Sequence, residues 1–257
     1  MTHDELKIWL EEKTDLYNQK SFIETDPISV PHMFSKPEDI EIAGLLTATI
    51  AWGNRKSIIT SAKRLMERMD MAPFGFIMNH SSADLKKLDG FVHRTFNSFD
   101  AATMMQMLQN IIHKHGSLKN VFCETIQNGG NAMDSIEFFR TEMLHTEHEN
   151  RFEKHISSPA KGSAAKRLNM YLRWMVRKDN NGVDFGLWND CFPMSKLMIP
   201  LDIHSGRVAR NLGLLDRNQN DAKAVRKVTE KLREFDPDDP IKYDFAIFGS
   251  GIFENLA

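Results

Sequence analysis

Residues 200–215, PLDIHSGRVARNLGLL, and residues 157–179, SSPAKGSAAKRLNMYLRWMVRKD, are the two stretches on which the fold turns. In the first, Val208, Leu212 and Leu215 recur at helical spacing behind Asp202, a residue type favoured at the start of a helix. His204, Arg207 and Arg210 project away from that stripe. In the second, Gly162 offers a tight turn and Ser163 an N-cap, so Lys166 is expected in the first turn of the helix that follows. Leu168, Leu172 and Met175 form its apolar stripe, and Lys166, Arg173 and Arg177 share the other face. A helix start that carries a basic side chain presents unpaired N–H groups to an anion. Taken singly, each residue also has a plain structural reading: Asp202 as a cap, Lys166 as a solvated lysine.

Outward from these segments the pattern stays helical. Leu6, Trp9 and Leu10 form one stripe, and Ile42, Leu45, Leu46 and Thr49 another. Ile58, Ile59, Ala62, Leu65 and Met66 form a third, and Met104, Met107, Leu108, Ile111 and Ile112 a fourth. Breakers such as Asp26-Pro27, Gly129-Gly130 and Asn181-Gly182 fall between them, and few alternating runs are available for a sheet. The expectation is an all-α chain of about ten helices.

The 257 residues, 41% hydrophobic and 26% charged, exclude a disordered or fibrous chain. No apolar run is long enough for a membrane span, and the acidic, amphipathic start MTHDELKIWLEEK does not read as a signal peptide. Cys123 and Cys191 are too few for a disulfide framework, a four-cysteine zinc site or an iron–sulfur cluster, and are expected to be reduced. The net charge of −2 hides an asymmetry: Ile156 to Arg233 holds fifteen Lys/Arg against seven Asp/Glu. A basic third beside an acidic remainder makes a positive face that attracts a polyanion, or else a set of solvated basic helices.

Together the two segments resemble the helix-hairpin-helix DNA glycosylases. Pro200-Leu201-Asp202-Ile203-His204, followed by Arg207-Val208, is similar to the segment carrying that superfamily's essential aspartate. Lys166 followed by Arg167-Leu168 resembles the lysine after the hairpin in its bifunctional members, and the separation of 36 residues is close to that of the archaeal 8-oxoguanine branch. The additional residues, Asp179 to Pro193, read as an inserted loop. Residues 44–65, GLLTATIAWGNRKSIITSAKRL, resemble the helix, duplex-entering turn and second helix of the same enzymes. The tail DPIKYDFAIFGSGIF resembles the helix that completes their base pocket. The usual Leu-Pro-Gly-Val-Gly hairpin is absent, and Pro159 to Lys166, with one glycine, stands in its place. The chain also resembles a bacterial family without assigned function that shares AWGNRKSI and KRLNMYLRWMVR.

The resemblance implies an all-α, two-lobed fold with a DNA cleft, residues 40–178 forming one lobe and 1–39 with 179–257 the other. It implies a base-excision DNA glycosylase with AP-lyase activity that removes an oxidised purine such as 8-oxoguanine. Lys166 would be the nucleophile and Asp202 the carboxylate. Lys161, Gly162, Trp52, Asn54, Arg55, His204 and Arg207 would contact DNA, and Asp244 and Phe248 would hold the base. No cofactor and no metal are implied. The partner is duplex DNA with a damaged base, met by a monomer in the cytoplasm at the nucleoid.

The chemistry calls for such groups. Breaking a C1′–N bond puts positive charge on the sugar, which a carboxylate stabilises, and a neutral amine attacking C1′ gives a Schiff base. A base inside a duplex must be flipped out and the gap filled, by Trp52, Asn54 or Arg55. A core tryptophan is the alternative for Trp52, and a surface acid for Asp244. Two rival functions remain open at this level: a DNA-binding protein without catalysis, and a metal-dependent hydrolase. The latter would use His145, His148 and His155, with Glu147 and Glu149 between them, unless that segment is a solvated linker helix.

Overall fold

The computed structural model describes residues 1–254 and 256, and the chain is helical almost throughout. The helices are α1 (His3–Tyr17), α2 (Lys20–Thr25), α3 (Pro37–Thr49), α4 (Arg55–Arg68), α5 (Pro73–Asn79) and α6 (Ser98–His115). They continue with α7 (Leu118–Gln127), α8 (Ala132–Met143), α9 (Lys166–Val176), α10 (Ile203–Asn211), α11 (Ala222–Phe235) and α12 (Asp244–Phe253). The strands form one short antiparallel hairpin that pairs Val92 with Asn97 and His93 with Phe96. The four apolar stripes read from the sequence lie on α1, α3, α4 and α6, and their members are buried except for Trp9 and Ile59, which are half-buried. No helix is long and apolar enough to cross a membrane, among the described residues.

Helix α3 forms the centre, with every residue from Asp39 to Thr49 buried. Its Gly44 makes room for α9: a Cβ there would lie 3.1 Å from Met175 Cε and 3.2 Å from Tyr171 Cε2. Asp179 to Pro193, read from the sequence as an inserted loop, holds no helix or strand and packs as a strap. Its Trp188 is fully buried, stacks on Phe122 at 5.4 Å and donates its indole N–H to Glu41 at 2.7 Å. Burial pushes the Glu41 carboxyl up to about 7. The strap also brings Cys191 to Cys123 on α7. The two are joined in a disulfide with Cα atoms 5.8 Å apart, so the expectation of reduced cysteines is corrected. A separation of 68 residues says nothing about proximity once the strap packs on Phe122.

Two further expectations change. Arg173 and Arg177 are not on a solvated face but buried, because the strap, Asp239 and α12 supply carboxylates to meet them. Arg173 pairs with Asp184 at 3.2 Å and Asp244 at 2.5 Å. Arg177 pairs with Asp179, Asp184 and Asp239 at 2.6, 3.3 and 2.9 Å. Part of the basic excess is therefore neutralised inside the molecule. The segment with His145 and His148 is a turn followed by a 3₁₀ helix, Asn150–His155, rather than a linker helix. Among the described residues no three His, Cys, Asp or Glu side chains cluster to hold a metal ion.

Breaking the Arg173 network should cost much of the stability. Arg173→Leu would leave Asp184 and Asp244 buried without their shared cation, a loss of about 3–5 kcal/mol. Urea unfolding would measure it, and a change under about 1 kcal/mol would contradict the network's role.

Candidate active site

The starts of α4, α9 and α10 converge with α12 and the 3₁₀ turn Pro27–Ser29 on one cleft of about 500 Å³, in the size range of small-molecule sites. Its walls include Asp26, Trp52, Arg55, Lys166, Arg167, Asp202, His204 and Phe248. An inner recess of about 20 Å³, room for little more than a water, continues from it to Arg173 and Asp244.

Lys166 and Asp202 face each other in this cleft. Lys166 Nζ lies 3.7 Å from Asp202 Oδ2, and both side chains are about one-quarter exposed, reachable from solvent yet fixed by packing. Lys166 is the first residue of α9, and the expected cap, Ser163, is not used as one. The N-cap is Ala165, held at φ +46, while Ser163 Oγ accepts the Ala165 N–H at 3.1 Å. No side chain caps α9, so its leading N–H groups remain open beside Lys166. Asp202 divides its two oxygens. Oδ1 accepts the Ser205 N–H at 2.9 Å in a capping box that starts α10, and Oδ2 is the atom turned to Lys166. Capping and facing Lys166 are thus compatible.

Asn220, not anticipated from the sequence, fastens the start of α10. Its side-chain amide donates to the Asp202 carbonyl at 2.9 Å, and it approaches α10 so closely that a Cβ on Gly206 would lie 2.3 Å from Oδ1. Two residues on, the Ala222 N–H donates to the Gly162 carbonyl at 3.0 Å, which fastens the turn before α9 to the start of α11. Gly162 has φ +89, so its glycine is needed for that turn.

The remaining expected residues divide. Trp52 is half-buried in the cleft wall, with the Arg167 guanidinium 4.7 Å from its ring centroid and His93 and His155 at 5.4 and 6.1 Å. Asn54 is exposed at the turn, but its Oδ1 caps α4 by accepting the Ser57 N–H at 3.3 Å. Arg55 turns inward, 4.8 Å over the Phe248 ring, with its buried Nη2 unpartnered. His204 lines the cleft and Arg207 lies exposed on α10. Lys161 does not line the cleft; its side chain is 76% exposed, 3.8 Å from Glu153.

Phe248 lines both cleft and recess, whereas Asp244 reaches only the recess. It is buried rather than a surface acid, and burial pushes its carboxyl up to about 6 against the pull of Arg173. Three further residues line the site, Ile203 and Asp26 among them without any role expected from the sequence. Arg167 spans Trp52 and the Thr49 and His155 carbonyls. Ile203, 62% exposed beside Asp202, puts an apolar group at the rim. Asp26 lines both cleft and recess. The dipeptide Asp26-Pro27 carried a turn signal only, which a carboxyl at a turn gives whether or not it faces a cavity.

A protein-family model described as "Protein of unknown function (DUF2400)" matches residues 26–253, a span that contains every residue of this cleft. No curated protein and no solved structure matches the chain.

Proposed function

The chain belongs to the DUF2400 family, and we propose that it is a DNA glycosylase with AP-lyase activity that excises an oxidised purine from duplex DNA. The observation that carries this reading is the Lys166–Asp202 pair, brought to 3.7 Å in one cleft from two segments whose sequences resemble those of the glycosylase lysine and aspartate. A lysine that only solvated a helix would have no need of a partner fixed by a capping box and by Asn220.

In this reading the extruded nucleoside enters the cleft with its base against Phe248 and its C1′ between Lys166 and Asp202. As the base departs, the carboxylate of Asp202 stabilises the positive charge that develops on the sugar. The Lys166 amine bonds to C1′, and the proton that its nitrogen then sheds passes to Asp202 Oδ2. Arg55 and Arg167 line the same cleft, and the open N–H groups of α9 lie beside Lys166. Breaking of the C1′–O4′ bond, with a proton passing to O4′, gives the Schiff base, and loss of a C2′ proton to water then expels the 3′ phosphate. Phosphates run past Lys161, Arg207 and the Gly162 turn, and the two-lobed arrangement of this superfamily belongs to the same proposal. Trp52 is pinned by Arg167, so the gap left in the duplex is filled from the exposed Gly53-Asn54 turn or by Ile203 rather than by the tryptophan.

The test is release of 8-oxoguanine from a duplex, read as free base, beside an undamaged duplex. Release from the lesion duplex alone supports the proposal, and none from any oxidised purine refutes it. The logarithm of duplex affinity should also fall linearly with the logarithm of salt concentration, with a slope of about −0.9 per phosphate neutralised. An affinity independent of salt would contradict a phosphate-bound substrate.

A further inference from the structure

Asp26 stands apart among the acids of the cleft. It is 5% exposed, and one oxygen caps the turn Pro27–Ser29 by accepting the Ile28 N–H at 3.1 Å. No cation lies within ion-pairing distance of it among the described residues, whereas Asp202 faces Lys166 and Asp244 is held by Arg173. It is also the one carboxyl that lines both the cleft and the recess. The recess is too small for a purine; Asp26 lines the cleft itself, whereas Asp244 lines only the recess.

Resting on the glycosylase reading above, we propose that Asp26 is the proton donor to the departing base. When the C1′–N bond breaks, its electron pair passes to the base nitrogen. The Asp26 carboxyl proton moves to an acceptor atom of the base, which leaves neutral, and Asp26 becomes a carboxylate. Separately, the Lys166 amine forms the new bond to C1′, and the proton its nitrogen sheds passes to Asp202. Two protons and two carboxyls are thereby accounted for, and the two acids act on opposite partners of the bond: Asp202 on the sugar and its nucleophile, Asp26 on the leaving group.

The charged groups around Asp26 are Arg173 and Lys166 from α9 and Arg55 from α4, with Asp202 of α10 and Asp244 of α12 on the same walls. Burial pushes the Asp26 carboxyl up, against the pull of Arg173, Arg55 and Lys166, so it holds its proton to higher pH than an exposed aspartate. A donor must be protonated, so base release should fall as pH rises through the titration of Asp26.

Asp26→Asn tests this, because the amide oxygen still caps the turn but has no acidic proton to deliver. Single-turnover release of 8-oxoguanine and borohydride trapping on a duplex with a preformed abasic site are followed across pH for both proteins. The abasic duplex has no base to expel and bypasses the donor. The expected result is release slowed by about 10²–10⁴-fold with the alkaline decline lost, and abasic trapping at the wild-type rate. The proposal is overturned if Asp26→Asn releases base within a few-fold of wild type, if the alkaline decline persists, or if abasic trapping falls in step with release. A wild-type protein that neither releases base nor traps the abasic duplex would sink the glycosylase reading itself and this proposal with it. An active wild type matched by the variant would sink this proposal alone.

Discussion

Lys166→Gln is expected to abolish borohydride trapping on both lesion and abasic duplexes while leaving duplex affinity within a few-fold of wild type. A glutamine amide cannot form a Schiff base, so the covalent route closes completely. The affinity should survive because one of several phosphate-side charges is lost and each contributes a similar share. Folding should survive as well, since Lys166 is the first residue of α9, about one-quarter exposed, and glutamine is a comparable helix former. The informative control is Lys161→Gln. Lys161 is exposed and outside the cleft, so its loss should weaken binding and leave trapping intact. If Lys161→Gln removes trapping and Lys166→Gln does not, the cleft has been assigned to the wrong lysine.

Asp202→Asn is expected to slow base release by about 10²–10⁴-fold. The sugar cation loses its counter-charge, and the Lys166 nitrogen loses the proton acceptor 3.7 Å away. The same substitution is nearly silent for folding. Asn is as good an N-cap as Asp, and its side-chain oxygen can still accept the Ser205 N–H, so stability should change by only a few tenths of a kcal/mol. Thermal unfolding beside single-turnover release separates the two roles of the residue. Unchanged release would mean that Asp202 only starts α10, and the principal support for the proposed chemistry would be gone.

The helical class was legible because three-and-four spacing of apolar residues survives whatever a helix packs against. The helix starts at Lys166 and behind Asp202 were legible from local signals such as Gly162 and the Asp202 cap, whereas their pairing rested on the resemblance of the two segments. What was not legible was set by contacts across the chain. Arg173 and Arg177 carry the spacing of a solvated basic face, and only the strap, Asp239 and α12 turn them into a buried network. The strap itself resembled an inserted loop, since Trp188 gives no sign in sequence that it will stack on Phe122 and bind Glu41. Asp26 and Asn220 look like turn residues because they are, and their places beside the cleft come from tertiary packing. Ala165 is the reverse case: a residue without polar groups took the N-cap, in the left-handed region, where Ser163 had the better local claim.

The covalent role of Lys166 is the centre of this account, and the position of the adduct tests it most directly. The wild-type protein is incubated with an 8-oxoguanine duplex and borohydride, the trapped complex is digested, and the nucleotide-bearing peptide is mapped by mass spectrometry. The account predicts one adduct, on Lys166. A trapped complex whose adduct lies on Lys161 or any other amine, or the lack of a trapped complex with any oxidised-purine or abasic duplex, would contradict it.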